Sequence, residues 1–212
     1  MTRGDIIVIS APSGSGKTTI CRALLARIEG IVLSISYTTR EKRTGESGGK
    51  DYYYVNEQEF GKMKDCNEFL EYARVYGNWY GTSYGTVDAI VAGGEDAVLE
   101  IDVQGGRAVK AVVPEAVLIG ILPPDRETLR KRLFGRARDS REDMERRLEA
   151  AWKEISELRE YDYIVVNKDL ETAIRQVECI IRARRSRRER TRELVDRILR
   201  DKGEQRDGSS NG

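Results

Sequence analysis

The chain contains no histidine, which excludes Ser-His-Asp and Cys-His catalysis and removes the commonest protein metal ligand. Cysteine is scarce: Cys21, Cys66 and Cys179 are odd in number, far apart and lack a CxxC pair. That argues against a disulfide framework or a structural zinc site. Long apolar runs are missing too. The start, Met1 to Asp5, leads into only four aliphatic residues, Ile6 to Ile9, too few for a signal-peptide core, and nothing elsewhere approaches a membrane span. A cytoplasmic protein with no membrane partner is expected. Neither sign of charge dominates, with 37 Lys+Arg against 36 Asp+Glu, so no global field draws the chain to nucleic acid. These absences leave phosphoryl transfer untouched, because its loose transition state needs positioning and charge neutralisation more than a strong base.

What is present begins at residue 6. The apolar run Ile6-Ile7-Val8-Ile9 leads into Ser10-Ala11-Pro12-Ser13-Gly14-Ser15-Gly16-Lys17-Thr18-Thr19, the strand, glycine-rich turn and Gly-Lys-Thr of a phosphate loop, with Ala11 in place of the first glycine. Gly14 and Gly16 can take the positive φ that turns successive N–H groups inward, and the following helix aims its positive end at the same point. Ser13 to Thr19 therefore read as the cradle for a nucleotide polyphosphate. Lys17 reaches its terminal phosphates, and the Thr18 hydroxyl is one direct ligand of an accompanying Mg²⁺.

At 212 residues one α/β domain is the simplest organisation. Strand-like patterns fall near 5–10, 31–36, 97–102, 117–122 and 162–166, with helical stretches between most of them, including Thr19 to Ile28. This is the βαβ alternation of a parallel sheet. Two segments interrupt it. The stretch 37–84, rich in tyrosine, glycine and charge, reads as an inserted subdomain with short strands at 52–55 and 69–76. The stretch 124–149, arginine-dense and following Pro123-Pro124, reads as a helical cover. From Leu170 to Arg200 one long helix is expected, with Ala173, Ile174, Val177, Ile180, Ile181, Leu194, Val195, Ile198 and Leu199 available to one face and arginines on the other. That basic face is read as solvated and partly paired with Glu189 and Glu193 rather than as a nucleic-acid surface. The polar tail 201–212 is expected to be disordered. Arg40 and Arg43, at a strand end before glycine-rich chain, have the forked geometry to clamp a second phosphate.

Several further motifs stand in order: Thr38-Thr39-Arg40, Gly49-Lys50-Asp51-Tyr52, Phe69-Leu70-Glu71, Gly77-Asn78-Trp79-Tyr80-Gly81-Thr82, Leu99-Glu100-Ile101-Asp102-Val103-Gln104-Gly105, Ile121-Leu122-Pro123-Pro124, Arg132 with Arg136, Arg147-Leu148 and Ile164-Val165-Val166-Asn167. With the phosphate loop, they resemble the guanylate kinases over residues 4–185. The resemblance implies a three-layer α/β phosphate-loop kinase core with a parallel five-stranded sheet, formed by 1–36, 85–123 and 150–200. It also implies a GMP-binding subdomain at 37–84 and a lid at 124–149. The implied reaction moves the terminal phosphate of ATP to GMP or dGMP, with Mg²⁺ as cofactor, in a monomer or homodimer.

Carried over residue by residue, the resemblance puts the GMP phosphate on Arg40, Arg43, Tyr52 and Tyr80, and guanine on Ser36, Glu71 and Thr82. One carboxylate can accept both N–H donors of guanine, at N1 and N2, whereas adenine offers an acceptor at N1. Glu100 falls where the family has an acid on the guanine side, one methylene longer than the Asp often found there, and Asp102 falls where an acid supports magnesium through water. Arg132, Arg136 and Arg147 match arginines that close over the phosphates and, with Lys17 and Arg40, would neutralise the migrating group. Arg136 lies in Gly-Arg-Ala rather than the family's Gly-Arg-Gly. Arg130, Lys131, Arg138 and Arg146 are read as solvated or paired, and Asn167 as an adenine-side residue.

Overall fold

The structure is a computed structural model that describes residues 3–75, 77–134 and 141–207. In chain order the elements are β1 (Ile6–Ser10), α1 (Lys17–Arg27), β2 (Ile31–Leu33), β3 (Tyr37–Thr38), β4 (Tyr53–Tyr54), α2 (Glu57–Asp65), β5 (Phe69–Val75), β6 (Asn78–Ser83) and α3 (Tyr84–Ala92). There follow β7 (Asp96–Glu100), α4 (Val103–Val112), β8 (Val117–Leu122), α5 (Arg126–Phe134), α6 (Arg141–Glu157), a 3₁₀ turn (Leu158–Glu160), β9 (Tyr163–Val166), α7 (Leu170–Arg185) and α8 (Arg188–Asp207).

Five strands form one sheet in the order β2-β7-β1-β8-β9, every pair parallel. Central β1 is flanked on both sides, Val8 pairing with Leu99 and with Leu118. Its period-two alternation divides the core. Ile7 and Ile9 join Ile20, Leu24 and Val177 beneath α1 and α7, while Val8 joins Leu99, Val103 and Leu118 beneath α3 and α4. Val8, Ile9, Leu24 and Leu99 are fully buried, each worth about 1.5–3 kcal/mol over an exposed side chain. Gly16, in the left-handed region at φ 90°, ends the loop and opens α1.

The inserted segment makes its own sheet, β4-β3-β6-β5. Around the β5–β6 hairpin, Phe60 stacks on Phe69 and Trp79. Helix α2 starts at a capping box in which Asn56 Oδ1 accepts from Glu59 N and Glu59 Oε2 accepts from Asn56 N. In the cover, Leu129 and Leu133 of α5 pack on Ala151 of α6. The expected boundary at 149/150 falls inside α6, which runs unbroken from cover into core.

The C-terminal segment departs from expectation. It is two helices with a break at Ser186–Arg187, and the second continues to Asp207; residues 208–212 of the tail expected to be disordered lie outside the described residues. Leu194, Val195, Ile198 and Leu199 are exposed rather than packed with α7. The arginines are not simply a solvated face. Asp96, 1% exposed, accepts from Arg185 Nε at 2.7 Å and Arg190 Nη1 at 2.5 Å. Asp5 accepts from Arg184 Nε and from Arg190 Nη1. Arg185 also donates to the carbonyls of Glu29 and Gly30. This network fastens the end of the chain to the starts of β1 and β7.

Candidate active site

Strand β1 delivers the loop, and α1 aims its N-terminus into a cleft of about 820 Å³ that Lys17, Thr18 and Asp102 help to line. A second cleft, about 940 Å³, runs between α1, β2 and the inserted segment, with Ser36, Glu46, Tyr52 and Glu100 among its walls. Thr18 borders both. Each is of the size that takes a nucleotide-scale ligand.

Around the loop, Lys17 Nζ donates to Ile101 O at 2.8 Å, and Thr18 Oγ1 donates to Glu100 Oε1 at 2.5 Å. Glu100, which lines only the second of the two clefts, thus reaches to the residue they share. Asp102 caps α4, its Oδ1 accepting Gly105 N–H at 2.7 Å. Ser13, Gly14, Gly16 and Thr19 also line the loop cleft. Ser15 lines it too, its hydroxyl buried and without a hydrogen-bond partner among the described residues. Asn167, expected on the adenine side, lies against the loop. The residue is 4% exposed, and its Nδ2 donates to Ser15 O at 2.8 Å. A buried amide must find a partner, and this one braces the loop from below.

The cover contributes Arg132, whose Nη2 donates to Asn167 O at 3.2 Å, and Arg147, whose Nη2 donates to Ser13 Oγ at 3.4 Å. Arg146, expected to be solvated or paired, is among the residues lining the same cleft. Arg136 and Arg138 lie outside the described residues. Glu154, one face of α6 below Arg147, accepts the Ser13 N–H, and burial together with the Asp102 charge raises its carboxyl above the usual carboxylate range.

On the far side, Arg40 is drawn into a cluster. Its Nη2 donates to Glu46 Oε1 at 2.8 Å, and its guanidinium lies 5.4 Å from the ring of Tyr52 and 5.9 Å from that of Tyr54. Glu46 also accepts Arg43 N–H and Tyr54 Oη–H. Its bonds to Arg40 hold the carboxyl down at about 2, and the same contact raises the Arg40 guanidinium, which Tyr80 also hydrogen-bonds. Tyr52 meets Tyr80 edge-on at 5.8 Å. Arg43 itself is exposed. Glu46 escaped the sequence reading, although an acid three residues after Arg43 was its signal.

Glu71, on β5, is 7% exposed and accepts Thr82 Oγ1–H from β6 at 2.5 Å. The register that pairs Glu71 with Thr82 across the hairpin brings the two together. Burial pushes the Glu71 carboxyl up to about 7, Thr82 opposes that rise and the Asp102 charge adds to it.

A phosphate loop opening α1, an Arg40–Glu46–tyrosine cluster in the inserted segment and the buried Glu71–Thr82 pair fit one class, a phosphate-loop kinase. A family model described as guanylate kinase matches residues 3–184. The guanylate kinase of Methylococcus capsulatus is 46% identical over 201 residues, covering 95% of this chain and 98% of that protein. That of Nitrosospira multiformis is 48% identical over 184 residues, 87% of this chain and 88% of that one. A crystal structure of guanylate kinase from Anaplasma phagocytophilum superposes with a TM-score of 0.75 at 36% identity, covering 92% of this chain and 95% of the other. The chain belongs to the guanylate kinase family.

Proposed function

We propose a division of labour for the family reaction, in which the terminal phosphate of ATP passes to GMP to give ADP and GDP. ATP lies along the loop from Ser13 to Thr19, with Lys17 on its terminal phosphates. GMP, or dGMP, enters by the second cleft, which Ser36 and Tyr52 line, and reaches past it, its phosphate on Arg40, Arg43, Tyr52 and Tyr80 and its base on Ser36, Glu71 and Thr82. The observation that carries this reading is that the two clefts meet at Thr18, so that a phosphate oxygen from one side faces a phosphorus on the other. Closure of 37–84 and of the cover 124–149 over the core excludes water and limits wasteful hydrolysis.

Guanine discrimination follows from Glu71. Its ionised carboxylate accepts N1–H and N2–H together, and Ser36 donates to O6, the Thr82 hydroxyl already donating to Glu71. Adenine leaves the buried carboxylate facing an acceptor, a mismatch on the order of 4–6 kcal/mol. Arg132, Arg147 and Arg136 neutralise charge on the transferred group, acting within the chain as arginine fingers. Arg40, held by Glu46, meets GMP already oriented. Lys17 exchanges the Ile101 carbonyl for phosphate.

The donors near Thr18 suit Mg²⁺: a hydroxyl and the Glu100 and Asp102 carboxylates are hard oxygens. Among the described residues no group of three or more His, Cys, Asp or Glu could hold a metal. That combination fits a cation carried mainly by substrate phosphates. When bound, Mg²⁺ supplies charge neutralisation between the phosphates. Thr18 would hold it directly, with Asp102 supporting it through water. We place the protein in the cytoplasm, where ATP is abundant and where the three unpaired cysteines stay reduced. No described helix is long and apolar enough to cross a membrane.

A coupled ADP-release assay across GMP, dGMP, AMP and UMP tests the reading. GMP and dGMP are expected to turn over with AMP and UMP at least a thousandfold poorer in kcat/KM, on the order set by matched buried hydrogen bonds. Equal use of AMP would overturn the guanine assignment.

A further inference from the structure

Gly105 and Gly106 sit side by side in the first turn of α4, both buried, yet their missing side chains serve different ends. A Cβ on Gly106 would stand 2.0 Å from Tyr161 Oη and 3.2 Å from Val8 Cγ1. Tyr161 cannot yield there, because its ring is buried and its hydroxyl donates to Ser10 Oγ at 2.8 Å. Gly106 is therefore a requirement of the core. A Cβ on Gly105 would meet Glu71 Oε2 at 2.8 Å, Glu71 Cδ at 3.2 Å and Ile101 Cδ1 at 3.3 Å. The first two belong to the free end of a flexible side chain. Gly105 is not among the positive-φ glycines, so alanine fits its backbone and is the better helix former.

The fold thus gains nothing from glycine at 105, and the group a methyl would displace is the base-reading carboxylate. We infer that Gly105 is a positioning residue for guanine selectivity: its bare Cα gives Glu71 Oε2 the room to stand beside Oε1, so that both oxygens face one base edge. The same residue touches the other half of the site, since its N–H holds Asp102 Oδ1. Alanine keeps that N–H, so the substitution isolates the contact with Glu71. This inference rests on the reading of Glu71 as the guanine acceptor.

Displacing Oε2 by about half an ångström, the distance needed to restore ordinary contact, degrades one of two hydrogen bonds to the base. Misplacement by 1 Å costs on the order of a hundredfold, so Gly105→Ala is expected to raise KM for GMP by about tenfold. Its KM for ATP stays within about twofold of the parent, since the loop contacts are untouched. Inosine monophosphate, which has N1–H but no 2-amino group, is the discriminating probe. A site that has lost one of two paired acceptors favours GMP over it by a smaller ratio.

The experiment measures kcat and KM for GMP, inosine monophosphate and ATP in the wild type, Gly105→Ala and Glu71→Gln, alongside thermal melts that include Gly106→Ala. The expected result is a Gly105→Ala protein that melts at or above the wild-type temperature and has lost about tenfold in GMP affinity and in GMP preference. Gly106→Ala melts lower. An unfolded Gly105→Ala, a KM for GMP that does not move, or an equal rise for ATP would overturn the inference. If Glu71→Gln loses its preference for GMP while Gly105→Ala keeps it, the Gly105 inference alone fails. If Glu71→Gln keeps the preference, the reading beneath it fails as well.

Discussion

Glu71→Gln separates what this carboxyl does for the substrate from what it does to the fold. The side chain is 7% exposed and accepts a hydrogen bond from Thr82 Oγ1. Burial raises its pKa from 4.5 to about 7, so the folded protein holds the proton more tightly than the unfolded chain. The stability attached to this site is therefore fully present below about pH 4.5 and is lost as pH rises through about 7. At about 1.4 kcal/mol per pKa step, ionising Glu71 costs the fold up to about 3 kcal/mol above pH 8. Glutamine keeps a carbonyl for Thr82 to donate to and carries no charge at any pH. In melts run without nucleotide at pH 5.5, 7.0 and 8.5, the variant should gain on the wild type as pH rises. The gap should reach about 1–3 kcal/mol, which for a chain of this size is about 2–10 °C. The same variant should lose GMP affinity by at least about tenfold, so that the better-folded protein is the poorer kinase. A stability gap that is the same at all three pH values, or that closes as pH rises, would refute the claim that a buried, chargeable Glu71 stores this energy.

Three further outcomes follow from named contacts. Lys17→Ala should lower kcat by about 10²–10³ or more while shifting the melting temperature little, because Lys17 makes one hydrogen bond to a carbonyl; near-normal GDP formation would remove the loop lysine from the mechanism. Glu46→Gln should raise KM for GMP about tenfold with a smaller change in kcat. Because the Glu46 carboxyl is held near about 2, its contribution is present above pH 4.5 and fades only as pH falls toward 2. Any pH dependence of KM for GMP between 6 and 8 should therefore survive in that variant. Asp96→Ala should cost about 3–5 kcal/mol in urea unfolding, since it leaves Arg185 and Arg190 facing a buried gap; a loss under about 1 kcal/mol would show that α8 is not held by this network.

The core was legible because its signals are local. The strands of the parallel sheet are apolar runs with period two, and the loop announces itself through Gly14, Gly16, Lys17 and Thr18, so each fell within a few residues of its observed bounds. The second sheet was harder. Strands β3 and β4 are two residues long, and β6 mixes Trp79 and Tyr80 with Gly81, so tertiary pairing rather than propensity makes them strands. The capping box Asn56/Glu59 was there to be read as the start of α2. Where a reading failed, the partner lay far away in sequence. The arginines of α7 and α8 were matched with neighbouring glutamates, yet Asp96 is 89 residues from Arg185 and Asp5 is 185 from Arg190. The contact of Asn167 with Ser15, 152 residues away, had no local signal either. Glu71 was singled out only through its motif; as an isolated strand carboxylate it would have been assigned to solvent, and the close approach of Gly105 comes from a helix 34 positions later.

The most direct test of the two-cleft account is a crystal structure with GMP bound. Guanine N1 and N2 should lie within hydrogen-bond distance, about 2.7–3.2 Å, of the two Glu71 oxygens. The phosphate should lie among Arg40, Arg43, Tyr52 and Tyr80. A GMP molecule found with its base away from Glu71, or with its phosphate on the loop at Lys17 instead of the arginine cluster, would contradict the account.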